Sequence, residues 1–149
     1  MPTKPSKSSP APEELAARLR AAVSMLVRNT RAVARLAPIP AAVLDLLDSG
    51  GPMTTADLAA SRGVRHQTMA ATVKDLADAG WLVAGPDPHD ARKKILTLTA
   101  EGKEALAADR RQRVAALAAA VRRALDDGER AALAQALNLI DRISEAIAP

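Results

Sequence analysis

Apolar residues recur at three- and four-residue steps along most of this 149-residue chain, the period of helices that bury one face. Leu15, Leu19, Ala22, Leu26 and Val33 form one such stripe and predict a helix from Glu13 to about Ala37. Pro38-Ile39-Pro40 breaks it, because the residue before a proline avoids the α region while proline is tolerated in a first helical turn. A short helix follows through Asp48, with Val43, Leu44, Leu46 and Leu47 inward, and Ser49-Gly50-Gly51-Pro52 ends it. Toward the C-terminus, Leu106, Val114, Leu117, Val121 and Leu125 predict a long helix from Thr99 to about Ala124. Leu133, Leu137, Ile140, Ser144 and Ile147 predict another. The pattern changes to short β-prone runs at Trp81–Ala84 and Ile95–Leu98.

The stretch between the outer helices carries the strongest local signals. Thr54-Thr55-Ala56-Asp57 is a capping box, which satisfies free N–H groups at a helix start. That helix runs to about Ser61 with Leu58 inward. Gly63 then permits the positive φ of a sharp helix stop, and Val64 plugs the gap to the next helix. Arg65 to Ala79 reads as that next helix. Met69, Thr72, Val73 and Leu76 fall on one side, and His66, Gln67, Ala70, Ala71 and Lys74 on the other. The second face has no bulky apolar residue. It suits a major groove, where Gln pairs with adenine edges and Ala meets a thymine methyl, and it equally suits plain solvent.

The two β-prone runs enclose Gly85-Pro86-Asp87-Pro88-His89-Asp90-Ala91-Arg92-Lys93-Lys94. This is a hairpin with Arg92, Lys93 and Lys94 near its tip, within reach of phosphates or a minor groove. Extended backbone at the tip would put Asp90 and Arg92 on one side, so that the carboxylate steadies the guanidinium. A solvated loop with a local ion pair is the other reading. Helix, turn, helix and hairpin in this order make a winged helix-turn-helix. The fold class expected is mainly α: a winged helix-turn-helix head with a two-stranded wing, flanked by N- and C-terminal dimerisation helices.

Residues 54–102 resemble the MarR family of bacterial transcription regulators. The matching pieces are Met53-Thr54-Thr55-Ala56-Asp57-Leu58-Ala59, the Gly63-Val64 turn and Leu76-Ala77-Asp78-Ala79-Gly80-Trp81-Leu82. The wing segment Asp87-Pro88-His89-Asp90-Ala91-Arg92 and the closing Leu98-Thr99-Ala100-Glu101-Gly102 also match and are the most specific. The resemblance implies an obligate homodimer on a near-palindromic operator in duplex DNA. It implies a recognition helix over Arg65, His66, Gln67, Thr68, Ala70, Ala71 and Lys74 in the major groove, with Arg92 in the minor groove beside Asp90, Lys93 and Lys94. Two departures stand out. Arg65 occupies a position that is often a Ser or Thr cap, and Ala71 and Ala91 occupy positions that are often Arg.

Composition trims the alternatives. The net charge of +4 comes from 21 basic and 17 acidic residues, which is compatible with nucleic acid without being diagnostic of it. Residues 54–98 hold six basic residues against five acidic, so the head is nearly neutral and the placement of its cations matters more than their number. Trp81 is the sole aromatic residue, a packing residue under the wing or a lid over a pocket. Single-stranded nucleic acid is a poor target, because it wants exposed aromatics for stacking. There is no Cys, hence no disulfide and no thiol-based redox switch. His66 and His89 lack metal-ligand spacing. No nucleophile elbow or phosphate loop occurs, so neither catalysis nor a cofactor or metal is expected. With no membrane-length apolar run and no signal-peptide pattern, the protein is expected to be cytoplasmic.

The expected layout is a disordered basic tail over 1–12, a dimerisation helix over 13–37, the head over 38–98 and dimerisation helices over 99–149. The outer stripes exceed what one head can cover, and pairing them about a two-fold axis would bury them. The expected function is a dimeric repressor released by a small aromatic or anionic effector, an element the resemblance implies. Met25 and Arg28 are candidates to line its pocket, against readings as core packing and solvated surface. Arg110, Arg111 and Arg113 are read as solvated, with DNA or a ligand anion as the alternatives. The competing function is a winged-helix dimer that serves protein interaction without operator binding, motivated by Ala71 and Ala91.

Overall fold

The computed structural model describes residues 9–149. Most of the tail expected over residues 1–12 thus lies outside the described residues, and Pro12 already opens a helix, with extended Ala11 as its cap. Among the described residues the elements are α1 (Pro12–Arg31), α2 (Pro38–Gly50), α3 (Thr55–Arg62), α4 (His66–Asp78), β1 (Leu82–Pro86), β2 (Lys94–Leu98), α5 (Ala100–Ala124) and α6 (Asp127–Ile147). The fold is mainly helical with one antiparallel hairpin, as expected.

The buried core belongs to the head. Val43, Leu44 and Leu47 of α2 meet Leu58 and Ala59 of α3, Met69 and Leu76 of α4, Leu82, Leu96 and Leu98 of the hairpin, and Leu106 of α5. Trp81 packs half-buried against this cluster, in keeping with the packing reading. Helices α1 and α6 contribute no buried residue. Leu15, Leu26, Leu137 and Ile147 stand exposed on them. On α5 the stripe holds at Leu106, but Val114 is 63% exposed.

Helix α1 is shorter than its stripe predicts, ending at Arg31 and not near Ala37. The Thr30 hydroxyl donates back to the carbonyls of Leu26 and Val27, both at 3.0 Å. The N–H groups of Val33 and Ala34 bond only three residues back, to Thr30 and Arg31, a tightening common at helix ends. The N–H groups of Arg35 and Leu36 then leave the helical pattern and donate to the carboxylate of Asp109 on α5, at 2.9 and 3.0 Å. Local periodicity favours another turn, but a distant acceptor and Pro38 decide otherwise.

The hairpin is also shifted. Its ladder pairs Leu82 with Leu98 and ends at Pro86 with Lys94, so Trp81 lies outside it and Lys94 sits at the base of the tip. On the free side of β2, Met53 exchanges two backbone hydrogen bonds with Leu96, at 3.2 and 2.8 Å. The wing is thereby tied to the residue that precedes α3. Thr99 caps α5 instead of starting it: its hydroxyl accepts from the Gly102 N–H at 3.0 Å and donates to the Gly80 carbonyl at 2.6 Å.

Candidate nucleic-acid interface

The expected capping box is present. The Asp57 N–H donates to Thr54 Oγ1 at 3.1 Å and the Thr54 N–H to Asp57 Oδ2 at 3.2 Å. Donation from Thr54, its backbone N–H first and its side chain second, holds the Asp57 carboxyl below its ordinary value. Gly63 ends α3 in the left-handed region at φ 62°, and Val64 lies half-buried beyond it. This turn sets α4 against α3.

Helix α4 buries Met69 and Leu76 and exposes Arg65, His66, Gln67, Thr68, Ala70, Ala71 and Lys74. Arg65 stands exposed at the N-cap, where a guanidinium, having only donors, leaves the first-turn N–H groups uncapped. Lys74 is different. Its ammonium donates to Asp78 Oδ2 at 2.7 Å, one turn on, with both side chains exposed. That hydrogen bond raises the Lys74 pKa above its ordinary value and offsets its field on the exposed face. Asp78 thus reaches a residue of the proposed groove face. Its i, i+4 spacing from Lys74 was the available signal.

At the wing tip, Asp90 and Lys93 close a turn, with the Lys93 N–H donating to the Asp90 carbonyl at 2.9 Å. Asp90 Oδ1 accepts from the Arg92 backbone N–H at 3.1 Å and from its Nε at 3.2 Å. The carboxylate therefore does grip the guanidinium stem. It does so through a turn, however, and not through the extended backbone expected. Across the loop neck the Asp87 N–H donates to the Lys93 carbonyl at 2.9 Å. The Arg92 side chain remains 92% exposed.

A family model described as MarR family matches residues 36–93. A Pseudomonas aeruginosa protein assigned as a transcriptional regulator is 32% identical over 89% of this chain and 95% of its own, and superposes with a TM-score of 0.73. The chain belongs to the MarR family. An uncharacterized HTH-type transcriptional regulator of Mycobacterium leprae is 32% identical over 95 residues, a match spanning 64% of this chain and 65% of that protein. A Thermotoga maritima transcriptional regulator shares the fold at 23% identity, with a TM-score of 0.77 over 90% of this chain and 96% of its own.

In this MarR chain Arg110, Arg111 and Arg113 of α5 are engaged with the protein itself and are not merely solvated. Arg110 pairs with Asp45 and, at 3.5 Å, with Asp48 of α2. The Asp45 hydrogen bond raises its pKa above the ordinary value. Arg111 pairs with Glu104 at 2.6 Å, and Arg113 with Asp109 at 3.1 Å. Where the end of α1, α2 and α5 meet, a cleft of about 510 Å³ is lined by Arg31, Arg62, Arg110 and Arg113 over an apolar floor that includes Leu106 and Leu117. Neither Met25 nor Arg28 lines it, and Met25 is exposed. Asp109 also lines this cleft and was overlooked in the sequence. It follows Leu106 by three residues, so an acid on the inward side of an apolar stripe was the clue.

Proposed function

We propose that this protein is a dimeric, sequence-specific regulator that binds duplex DNA, acting in the cytoplasm as a repressor of a near-palindromic operator. The observation that carries this reading is the paired presentation of Arg92 on a wing tip held by Asp90 and of an open α4 face. Arg65, Gln67 and Thr68 at the start of α4 would meet base edges or phosphates, Ala70 and Ala71 would allow close approach, and Lys93 and Lys94 would add phosphate contacts. Dimerisation is supported by the uncovered apolar faces of α1 and α6, since apolar surface of that extent marks an interface. Two heads about a two-fold axis would span half-sites one turn apart, about 34–36 Å.

The cleft supports the effector. Arg31 and Arg62, beside the aspartate-paired Arg110 and Arg113 and over an apolar floor, suit a small anion, an aromatic carboxylate being the test compound. Its binding would release the DNA.

Selection of fragmented genomic DNA by the purified protein at two salt concentrations tests the central claim. Enrichment of one near-palindrome that weakens with salt is the expected result. An intact dimer, free of copurified effector, that enriches nothing at low salt would favour the protein-interaction module instead. Leu26→Glu on α1 should yield a monomer by sedimentation; a persistent dimer would place the interface elsewhere.

A further inference from the structure

Asp109 is the one fully buried charged residue among the described residues, at 1% exposure. A carboxylate is tolerated there only if its oxygens are answered. Its Oδ1 accepts the N–H groups of Arg35 and Leu36, 74 and 73 positions away in sequence. Oδ2 lies 3.1 Å from Arg113 Nε, although neither of these two atoms makes a directed hydrogen bond. Oδ1 therefore carries the geometry, while Arg113 supplies charge. What Oδ1 holds is the connector between α1 and α2, residues 32–37. Helix α1 has no fully buried residue and touches α5 over a short stretch, so the connector held by Oδ1 is a principal polar tie between this arm and the head.

We propose that Asp109 is a positioning residue: by gripping the amides of Arg35 and Leu36 it sets the direction of α1 relative to the head. Leu36, Asp109 and Arg113 also line the cleft, so a molecule bound there touches the same grip. The consequence for DNA, a fixed spacing between two heads, rests on the dimeric DNA-binding reading. The grip itself is a property of one protomer and is testable without DNA.

The chain has no cysteine, so Ser24→Cys on α1 and Ser61→Cys on α3, both exposed positions, accept spin labels selectively. After subunit exchange with excess unlabelled protein, the pair reports only the distance within a protomer. A single narrow distribution is expected for the otherwise wild-type chain. Asp109→Ala should roughly double its width or shift its centre, because arm orientations formerly excluded become populated. Asp109→Asn keeps an oxygen that accepts both amides and should restore the narrow distribution. A residue that matters only for stability would lower the unfolding temperature and leave the distribution of the folded protein unchanged. A folded Asp109→Ala chain with the wild-type distribution would overturn the proposal. Should that variant not fold, amide exchange of the wild-type chain decides. The Arg35 and Leu36 amides should exchange at least roughly tenfold more slowly than in a free connector, and unprotected amides would overturn it. Operator binding that failed while the distances behaved as stated would count against the DNA reading alone.

Discussion

A Cβ on Gly102 would lie 2.0 Å from the carbonyl oxygen of Trp81. The first turn of α5 passes against the backbone that leads into β1, and the same carbonyl accepts the Thr99 N–H at 3.1 Å. The Leu-Thr-x-x-Gly segment is therefore a joint: Thr99 caps α5 and ties it to Gly80, while Gly102 lets the helix approach. Gly102→Ala would gain about 1 kcal/mol of helix propensity. Against that stands a clash with main chain, which cannot rotate away as a flexible side chain can, and overpacking of this kind costs about 1–3 kcal/mol. The net expectation is a lower denaturant midpoint for Gly102→Ala. An unchanged or higher midpoint would mean that α5 can move off the wing base without cost.

Asp90 and Arg92 allow the wing reading to be separated from simple charge. Arg92→Ala should weaken operator binding by about 1–3 kcal/mol if the guanidinium contacts a base edge. Asp90→Asn removes a negative charge, so a purely electrostatic wing would bind more tightly. A wing that works through a fixed Arg92 pose would bind less tightly, and that is the direction expected. Titration of both variants on one operator fragment distinguishes the two, and Arg92→Ala at wild-type affinity would remove Arg92 from the interface.

Asp78 is expected to restrain DNA affinity through Lys74. Asp78→Asn frees the ammonium and removes an exposed negative charge, so binding at low salt should tighten. The slope of log affinity against log salt should steepen by about 0.9 if one more phosphate is neutralised. An unaltered slope would show that Lys74 does not face the backbone.

The cap of α3 has a defined pH signature. Thr54→Ala should cost about 1 kcal/mol at neutral pH, the usual worth of an N-cap. The Asp57 carboxyl is held below its ordinary value of 3.8 by bonds to Thr54. Its contribution is thus fully present above that value and is lost as pH falls through the lowered one. Thr54→Ala leaves the main-chain donor to the Asp57 carboxylate in place, so the gap in stability that should narrow in acid is the one between wild type and Asp57→Ala. A gap constant down to low pH would show that the carboxylate side of the box contributes nothing.

Much of the head was legible because its signals are local. The Thr54–Asp57 box, the left-handed Gly63 and the inward Met69 and Leu76 depend on residues within a turn or two of one another, and the chain adopts them as read. The wing was legible in outline, but its ladder reaches Pro86 and Lys94 because the neck bond from Asp87 to Lys93 extends the pairing. The MarR resemblance, carried by the wing and the Leu-Thr-x-x-Gly joint, agrees with the relatives found.

By itself the sequence determined the order of elements, the helix caps, the inward face of α4 and the presence of a charged hairpin, all of which follow from periodicity and short-range hydrogen bonding. Only the tertiary structure decided where α1 stops, what the α5 arginines face and how Arg92 is held. The end of α1 depends on Asp109, more than seventy residues away, accepting two amides that would otherwise have continued a helix. Arg110 faces Asp45 and Asp48 because α2 packs beside α5. Arg92 is fixed by a turn whose geometry is set when the strands below it pair. For the end of α1 and for Arg110 a partner distant in sequence decides the outcome, whereas Arg92 is held by Asp90, two residues away, once the turn has formed.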